Sequence, residues 1–428
     1  MKKAHIISIG NELLIGDTVN TNASLIGSML TEWGFYVEQI FTIPDSYTLI
    51  SSCARKSIET ADLTIITGGL GPTHDDITKK ALADFFGSQL IENSKVLKHV
   101  QAIFEKRGFL FSKVNAEQAQ VPDNCEVLFN SQGTAPGMWF EHKGRYLAVL
   151  PGVPHEMKNL MEEKVQQKVA ENFPGQEVWQ TEYFKTAGVP ESTLSDQIGD
   201  LSEYVKTGVG IAYLPNAGGV TIRISASGKS EFDANKKLVV LRNVIRERTG
   251  AALFGTGKEV SLAEVTGDLL RDKNWTIASA ESCTGGLLSS MLTDVAGSSD
   301  YVEGGIVTYS NRLKIQELGV KEADLNSVGA VSKEVALQMA KGAALKYSTN
   351  IGVSTTGIAG PGGGTKAKPV GTVWMGFWIN GDHFALHTVF TKNRLINKQR
   401  TVLVVLDTVR RYLLNKNSFP YNLQPHRI

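Results

Sequence analysis

From residue 4 the chain alternates short apolar runs with amphipathic stretches. His5-Ile6-Ile7-Ser8-Ile9 reads as a strand, residues 22–33 as a helix, the run near Tyr36 as a strand, residues 46–60 as a helix, and Leu63-Thr64-Ile65-Ile66 as a buried strand. Strands separated by helices of about 10–15 residues predict βαβ units and a mostly parallel sheet. The pattern runs to Phe173, where Pro174-Gly175 punctuates it. Residues 177–186 and 219–226 then alternate as strands, and residues 231–248 have helical spacing, which predicts a small α+β domain. A new α/β pattern opens at Gly255-Thr256-Gly257, with helices over 261–272 and 395–413 and strands at 276–280, 306–308, 351–353, 370–378 and 383–390. The polar tail from Asn415 reads as a poorly ordered terminus. The predicted fold class is α/β: two α/β domains, over residues 1–173 and 256–416, joined by a small α+β domain over 174–255 and followed by a tail over 417–428.

Composition adds exclusions. The 428 residues exceed one ordinary domain of roughly 100–200 residues. With 44 basic and 43 acidic side chains, a net charge of +1 gives no field that would draw nucleic acid or an anionic membrane as main partner. The helix over 231–248 carries Lys236, Lys237, Arg242, Arg246 and Arg248 among Glu231, Asp233 and Glu247, the mixed sign of a solvated face. No stretch has signal-peptide character, and none approaches the roughly 18 apolar residues of a membrane span, so a cytoplasmic location is expected. Cys53, Cys125 and Cys283 are far apart and without metal-ligand spacing, which suits a reducing compartment.

Two clusters carry candidate chemistry. In the first, Thr67-Gly68-Gly69-Leu70-Gly71-Pro72-Thr73-His74-Asp75-Asp76 joins a buried strand to a helix. Glycines let backbone approach a ligand, and the amides of such a turn favour phosphate. Asp75 and Asp76 would repel a bare phosphate, so the combination points to a divalent metal between them; the alternative is a helix cap. Residues 10–22, with Glu12 and Asn22, and Leu150 to Glu156 follow other strands toward the same carboxyl edge, where open α/β sheets bind ligands. His155 reads as a helix-start residue, and the segment 131–137 either lines this cleft or is a turn.

In the second cluster, Ala280-Glu281-Ser282-Cys283-Thr284-Gly285-Gly286 places a hydroxyl at a strand-to-helix turn beside free amides, either a nucleophile with its oxyanion cradle or an ordinary cap. Tyr309 and Lys314 follow a neighbouring strand, and Ser354 to Gly363 forms a polar glycine-rich loop after a third. His383 and His387 read as strand residues, so a desolvated Lys is the better base for Ser282. Cys283 is the rival nucleophile; without a His partner it reads as a small buried residue.

These motifs resemble the CinA family. Ser8 to Asn22, Gly68 to Thr78 and Leu150 to Met157 are similar to the molybdopterin-binding domain at the amino end of CinA proteins, a domain that in some members is a metal-dependent ADP-ribose pyrophosphatase. The resemblance implies a phosphate loop of Gly68, Gly69 and Gly71 with Glu12 and Asn22, and Asp75 and Asp76 as ligands of Mg, Mn or Co. Ala280 to Gly286, Gly304 to Asn311 with Lys314, Gly329 to Ser332, Gly357 to Gly363 and Lys368 to Val373 are similar to the CinA carboxy-terminal nicotinamide-nucleotide amidohydrolases. That likeness implies deamidation of nicotinamide mononucleotide (NMN) without a cofactor, with Ser282 as nucleophile, Lys314 as base, Tyr309 assisting, and Thr284, Gly285, Thr356 and Gly357 around the substrate. For its phosphate it implies Arg394 first and Arg400 second, although Lys392-Asn393-Arg394 replaces the family's Gly-Asp-Arg lead-in. Expected partners are NMN, ADP-ribose and a second copy in a homodimer, with neither membrane nor nucleic acid. The rival from another class is a nucleotide sensor or competence accessory that binds without turnover.

Overall fold

The computed structural model describes residues 2–73, 76–175 and 177–427. Two compact units form, Met1–Gln180 with Ala226–Lys236 and Thr181–Ser225 with Lys237–Ile428.

The first unit is organised by a six-stranded sheet of β1 (Lys2–Ile9), β2 (Phe35–Ile43), β3 (Leu63–Thr67), β4 (Glu126–Leu128), β5 (Gly137–His142) and β6 (Arg145–Leu150), in the order β2-β1-β3-β6-β5-β4. The first four are parallel and the last two antiparallel. Both faces are covered, which is why β1 beyond Lys3 and the whole of β3 are continuously buried. Ala4, Ile6 and Ile65 pack with Ile26 and Leu30 of α1 (Thr21–Glu32), whereas Ile7, Ile9 and Ile66 pack with Ile50, Ala54 and Ile58 of α2 (Tyr47–Thr60) and Leu82 of α3 (Thr78–Phe86). Helix α4 (Pro154–Leu160) starts just beyond β6.

The middle segment contributes β7 (Val178–Thr186), β8 (Val209–Pro215), β9 (Val220–Gly228) and β10 (Leu253–Thr256), in the order β8-β9-β7-β10, with the long helix α5 (Glu231–Thr249). Part of the basic charge on α5 is neutralised locally: the Arg242 guanidinium grips Glu182 through both carboxylate oxygens.

The carboxy-terminal part has α6 (Leu262–Lys273), β11 (Ile277–Glu281), α7 (Leu287–Thr293), β12 (Val302–Val307), α8 (Asn311–Leu318), α9 (Lys333–Tyr347), β13 (Ile351–Gly357), β14 (Thr372–Ile379), β15 (Asp382–Val389), α10 (Arg394–Leu413) and β16 (His426–Arg427). Its sheet runs β12-β11-β13-β14-β15-β16, the first three strands parallel and the rest antiparallel. Val402, Val405 and Val409 of α10 fill one face with Phe377 and Leu386, and Val335, Met339 and Ala343 of α9 fill the other with Ala278 and Ala280. The fold class is therefore α/β, two α/β domains joined by a small α+β domain. His383 and His387 lie in β15, and the His383 ring meets the Leu337 carbonyl at 3.0 Å.

The tail corrects its sequence reading. Pro420 is buried, Phe419, Tyr421 and Leu423 pack against the main core, and β16 pairs with β15. Its polar residues hide a few apolar anchors, and an otherwise free sheet edge supplies hydrogen bonds that a disordered end would lack. Among the described residues no helix is long and apolar enough to cross a membrane.

Candidate functional site

In the carboxy-terminal sheet, register decides the site. Glu281 lies opposite Val307 of β12 on one side and Thr355 of β13 on the other, so the loops after three parallel strands leave the sheet side by side. The turn after β11 is shaped by Glu281 itself. Its fully buried carboxylate accepts from the amides of Gly286 (3.0 Å), Leu288 (3.0 Å) and Ser289 (2.8 Å) and from the Ser289 hydroxyl, capping α7 from below. A carboxylate at a helix N-terminus satisfies otherwise orphaned donors. Gly285 and Gly286 make the reversal at φ of 63° and 93°, a region that favours glycine.

This turn presents Ser282 to Lys314. Lys314 Nζ donates to Ser282 Oγ at 3.0 Å and to the Thr308 carbonyl at 2.7 Å. The lysine is 1% exposed, and burial pushes its ammonium down to about 8. Desolvation penalises the charged form, so the neutral amine, negligible for an ordinary lysine, becomes a usable minority near physiological pH and the main form above about pH 8. Cys283, buried beside it, has its thiol pushed by desolvation up to about 12, which makes it a poor nucleophile.

The remaining candidates divide. Tyr309 is 60% exposed at the mouth, where its hydroxyl accepts from Arg394 Nη2 at 2.9 Å, while Arg394 Nη1 donates to the Gly360 carbonyl at 3.0 Å. Gly285 is exposed at the turn, and Gly357 ends β13, two residues past the Thr355 that pairs with Glu281. Thr284 and Thr356, in contrast, turn their hydroxyls inward, Thr284 sharing a hydrogen bond of 2.6 Å with Thr355 and Thr356 donating to the Ala330 carbonyl. Their buried side chains brace the loops and offer a substrate no hydroxyl. Arg400 also departs from expectation: six residues past Arg394 it faces another side of α10, about 240° round the helix, and lines a separate cavity with Phe390 and Tyr421. The cation that does join the site is Lys398, one helical turn past Arg394, whose Nζ would lie 3.5 Å from a Cβ at Gly285. The i, i+4 spacing was the signal for it. Asn393 caps this helix, accepting from the amides of Leu395 and Ile396, so the positive end of α10 also points toward the mouth.

In the first unit, the loops after β1, β3 and β6 meet at the carboxyl edge. Asn22 Nδ2 donates to the Gly152 carbonyl at 2.7 Å, and the Thr67 hydroxyl donates to the Pro151 carbonyl at 2.8 Å. Gly68, at φ of 110°, passes so close to β1 that a Cβ would strike the Ile9 carbonyl. A cavity of about 120 Å³ is lined by Ser8, Glu12, Asn22, Thr67 and Gly68, and the buried Ser8 hydroxyl and Asn22 Oδ1 take no partner among the described residues. Gly69 and Gly71 instead pack within their own loop, against Thr78 and Asp76. His155 is exposed at the start of α4, and the turn over 131–137 is held by Asn130, which donates to Glu156 and to the Ala135 carbonyl.

Asp75 lies outside the described residues. Asp76 accepts from the Thr73 amide (2.9 Å) and hydroxyl (2.5 Å), so it closes its own loop, as short acidic side chains do in turns. Among the described residues no group of three His, Cys, Asp or Glu side chains is placed to hold a metal. The sequence reading also missed Asp45 at this edge, which accepts from the Asn11 amide.

Comparison with known proteins gives three matches along the chain: "probable molybdopterin binding domain" over residues 5–171, "damage-inducible protein CinA KH domain" over 181–255 and "CinA C-terminal domain" over 259–413. The KH match concerns the segment read only as a connector; residues 181–255 contain no Gly-x-x-Gly, the turn with which KH domains clamp nucleic-acid backbone. A "CinA-like protein" of Salinibacter ruber is 42% identical over 412 residues, covering 96% of this chain and 99% of that protein. A "putative competence-damage inducible protein" of Clostridium botulinum is 41% identical over 415 residues, covering 96% and 100%. A solved CinA structure from Thermoplasma acidophilum, titled as of unknown function, is 36% identical, covers 39% of this chain and 97% of that chain, and has a TM-score of 0.36. On near full-length identity and three matched domains, the chain belongs to the CinA family.

Proposed function

We propose that the Ser282 site is an amidase that converts NMN and water to nicotinate mononucleotide and ammonia. The observation that carries this reading is the 3.0 Å contact between Ser282 Oγ and a buried, pKa-lowered Lys314, because a site that only binds has no need of a base against its hydroxyl. Neutral Lys314 takes the Ser282 proton as Oγ attacks the carboxamide carbon. The oxyanion that forms faces the turn, where the amides of Cys283 and Thr284, like that of Leu287 further on, are used neither by Glu281 nor by the turn's own hydrogen bonds. Collapse breaks the C–N bond, and Lys314 returns the proton to the departing ammonia. Water, deprotonated by the same lysine, then attacks the acyl ester and releases the carboxylate and Ser282. The Thr308 carbonyl holds one Lys314 N–H throughout, aiming the amine at Oγ. Arg394, Lys398 and the start of α10 carry the charge for the nucleotide phosphate, with Tyr309 positioned by Arg394.

The test is ammonia release from NMN by the wild type and by Ser282→Ala. The variant is expected to fold and to lose activity; full activity in a folded variant would overturn the nucleophile assignment and, with wild-type turnover intact, return attention to Cys283. A wild type that binds NMN without releasing ammonia would favour the sensing alternative.

A second reading concerns the first unit, where the unpartnered Ser8 hydroxyl at the Gly68 turn can donate to a phosphate and the unpartnered Asn22 Oδ1 can accept from a sugar hydroxyl of the same ligand. ADP-ribose, cleaved with the help of a divalent cation, is the family-derived candidate. The described side chains supply no cation cage, so no step is assigned there.

A further inference from the structure

The separate cavity that takes Arg400 has a volume of about 440 Å³, within the range of sites that hold small organic molecules. It lies inside the second unit, between the loop after β8, the end of β15, α10 and the tail. Its walls are mostly apolar, with Val189, Pro215 and Val220 facing Phe390 and Tyr421. They are also held in place. Asn216 Oδ1 accepts from the amides of Gly218 and Gly219 at 3.0 Å each, and Tyr421 is pinned through its amide to the Gly188 carbonyl and through its hydroxyl to the Gly218 carbonyl.

Against this preformed apolar wall stands the half-buried Arg400 guanidinium. Arg400 Nε is buried and takes no hydrogen-bond partner among the described residues. The guanidinium sits close enough to the Tyr421 phenol that, while burial raises the phenol's pKa, the positive charge pulls it the other way. Glu191, at the exposed rim of the same cavity, is not the partner of that Nε. A buried charged donor left unpaired is costly, and a planar guanidinium fork matches an oxyanion. Aromatic rings beside it favour a flat body on the anion.

We propose that this cavity is a second ligand site, distinct from the Ser282 turn, that binds a small organic anion made of an aromatic or apolar body bearing one phosphate or carboxylate group. Arg400 pairs with the anionic group, and Phe390 and Tyr421 hold the body. Because α10 carries Arg394 and Lys398 on one face and Arg400 on another, the two sites share an element without sharing side chains.

The proposal is tested on the full-length protein by calorimetry and ligand-detected magnetic resonance with phenyl phosphate, benzoate and neutral phenol. At least one anion is expected to bind, with phenol markedly weaker; the tighter of phenyl phosphate and benzoate assigns the group. Arg400→Gln should weaken the anion about tenfold or more, the loss of a charge-assisted hydrogen bond. Ala217→Phe, which puts an aromatic ring into the cavity and leaves the Arg400 side chain unaltered, should abolish binding even if Arg400→Gln proves poorly folded. Arg394→Gln should leave binding intact. The proposal fails if neither anion binds, if phenol binds as tightly as the anions, if a folded Arg400→Gln or Ala217→Phe keeps wild-type affinity, or if Arg394→Gln removes binding, which would place the ligand at the Ser282 site.

Discussion

Lys314 shows how one residue trades stability for chemistry. Its folded-state pKa of about 8 lies below the ordinary 10.5, so the unfolded chain holds the proton more tightly and folding is opposed by proton binding. That penalty is complete below about pH 8 and is relieved as pH rises from there toward 10.5. Lys314→Met should therefore cost no stability at pH 7, read as an unchanged or raised melting temperature, while turnover of NMN falls by about a hundredfold or more, the usual contribution of a general base. A change confined to KM would make Lys314 a binding cation instead. In the wild type, the neutral amine is the active form, so kcat/KM should climb with pH and level off above about 8. A profile flat between pH 6 and pH 9 would contradict a lysine base.

At the scale of elements, the start of α10 is where charge meets the mouth of the site. Arg394 and Lys398 lie one turn apart on the same face, and Asn393 caps the helix end by accepting from the Leu395 and Ile396 amides. Arg394→Gln and Lys398→Gln are each expected to raise KM for NMN about tenfold with little change in kcat, as loss of a uniform phosphate contact does. Nicotinamide riboside, which lacks the phosphate, should be indifferent to both changes. Equal losses with both substrates would show that these cations hold the loops rather than the ligand. The helix itself was legible from its apolar spacing, but the three basic positions in its first two turns, Arg394, Lys398 and Arg400, were not sorted by face. Periodicity locates an amphipathic stripe, whereas the neighbour that each polar side meets depends on packing.

For the molecule as a whole, two predictions follow from how its parts are tied. Within the second unit, Asp407 accepts from both Arg410 and Arg411, which in turn donate to the carbonyls of Ala251, Leu253 and Ala187, and the tail closes over this buried network through Pro420 and Tyr421. Deleting residues 417–427 should destabilise the protein by about 2–4 kcal/mol, the worth of one or two buried side chains and a strand pairing, measured by denaturant unfolding. An unchanged midpoint would mean that the tail only rests on the surface. The two proposed activities should also separate: a chelator is expected to abolish ADP-ribose cleavage and leave NMN deamidation untouched, since the Ser282 cluster is made of hydroxyls, a lysine and amides. Loss of deamidation on chelation, without unfolding, would replace the Ser-Lys mechanism with a metal-activated water.

Local patterning was enough to reveal many strands and helices of both α/β domains, because apolar alternation and helical spacing record burial on one face or both, as in β1, β3 and α10, but α9 and β5 were not singled out. The same local information, through turn glycines and strand ends, brought Ser282 and Lys314 forward as partners. What it could not contain was register and facing. Only the pairing of β11 between β12 and β13 sets Ser282 beside Lys314, and only packing turns Thr284 and Thr356 inward, sends Arg400 to another cavity and brings Lys398 to Gly285. The linear chain likewise gave no sign that Asp76 Oδ2 accepts from the amide and hydroxyl of Thr73, since a carboxylate takes the nearest unpaired donors. Sequence records what each segment buries; the tertiary fold alone chooses which polar atoms remain to meet a substrate.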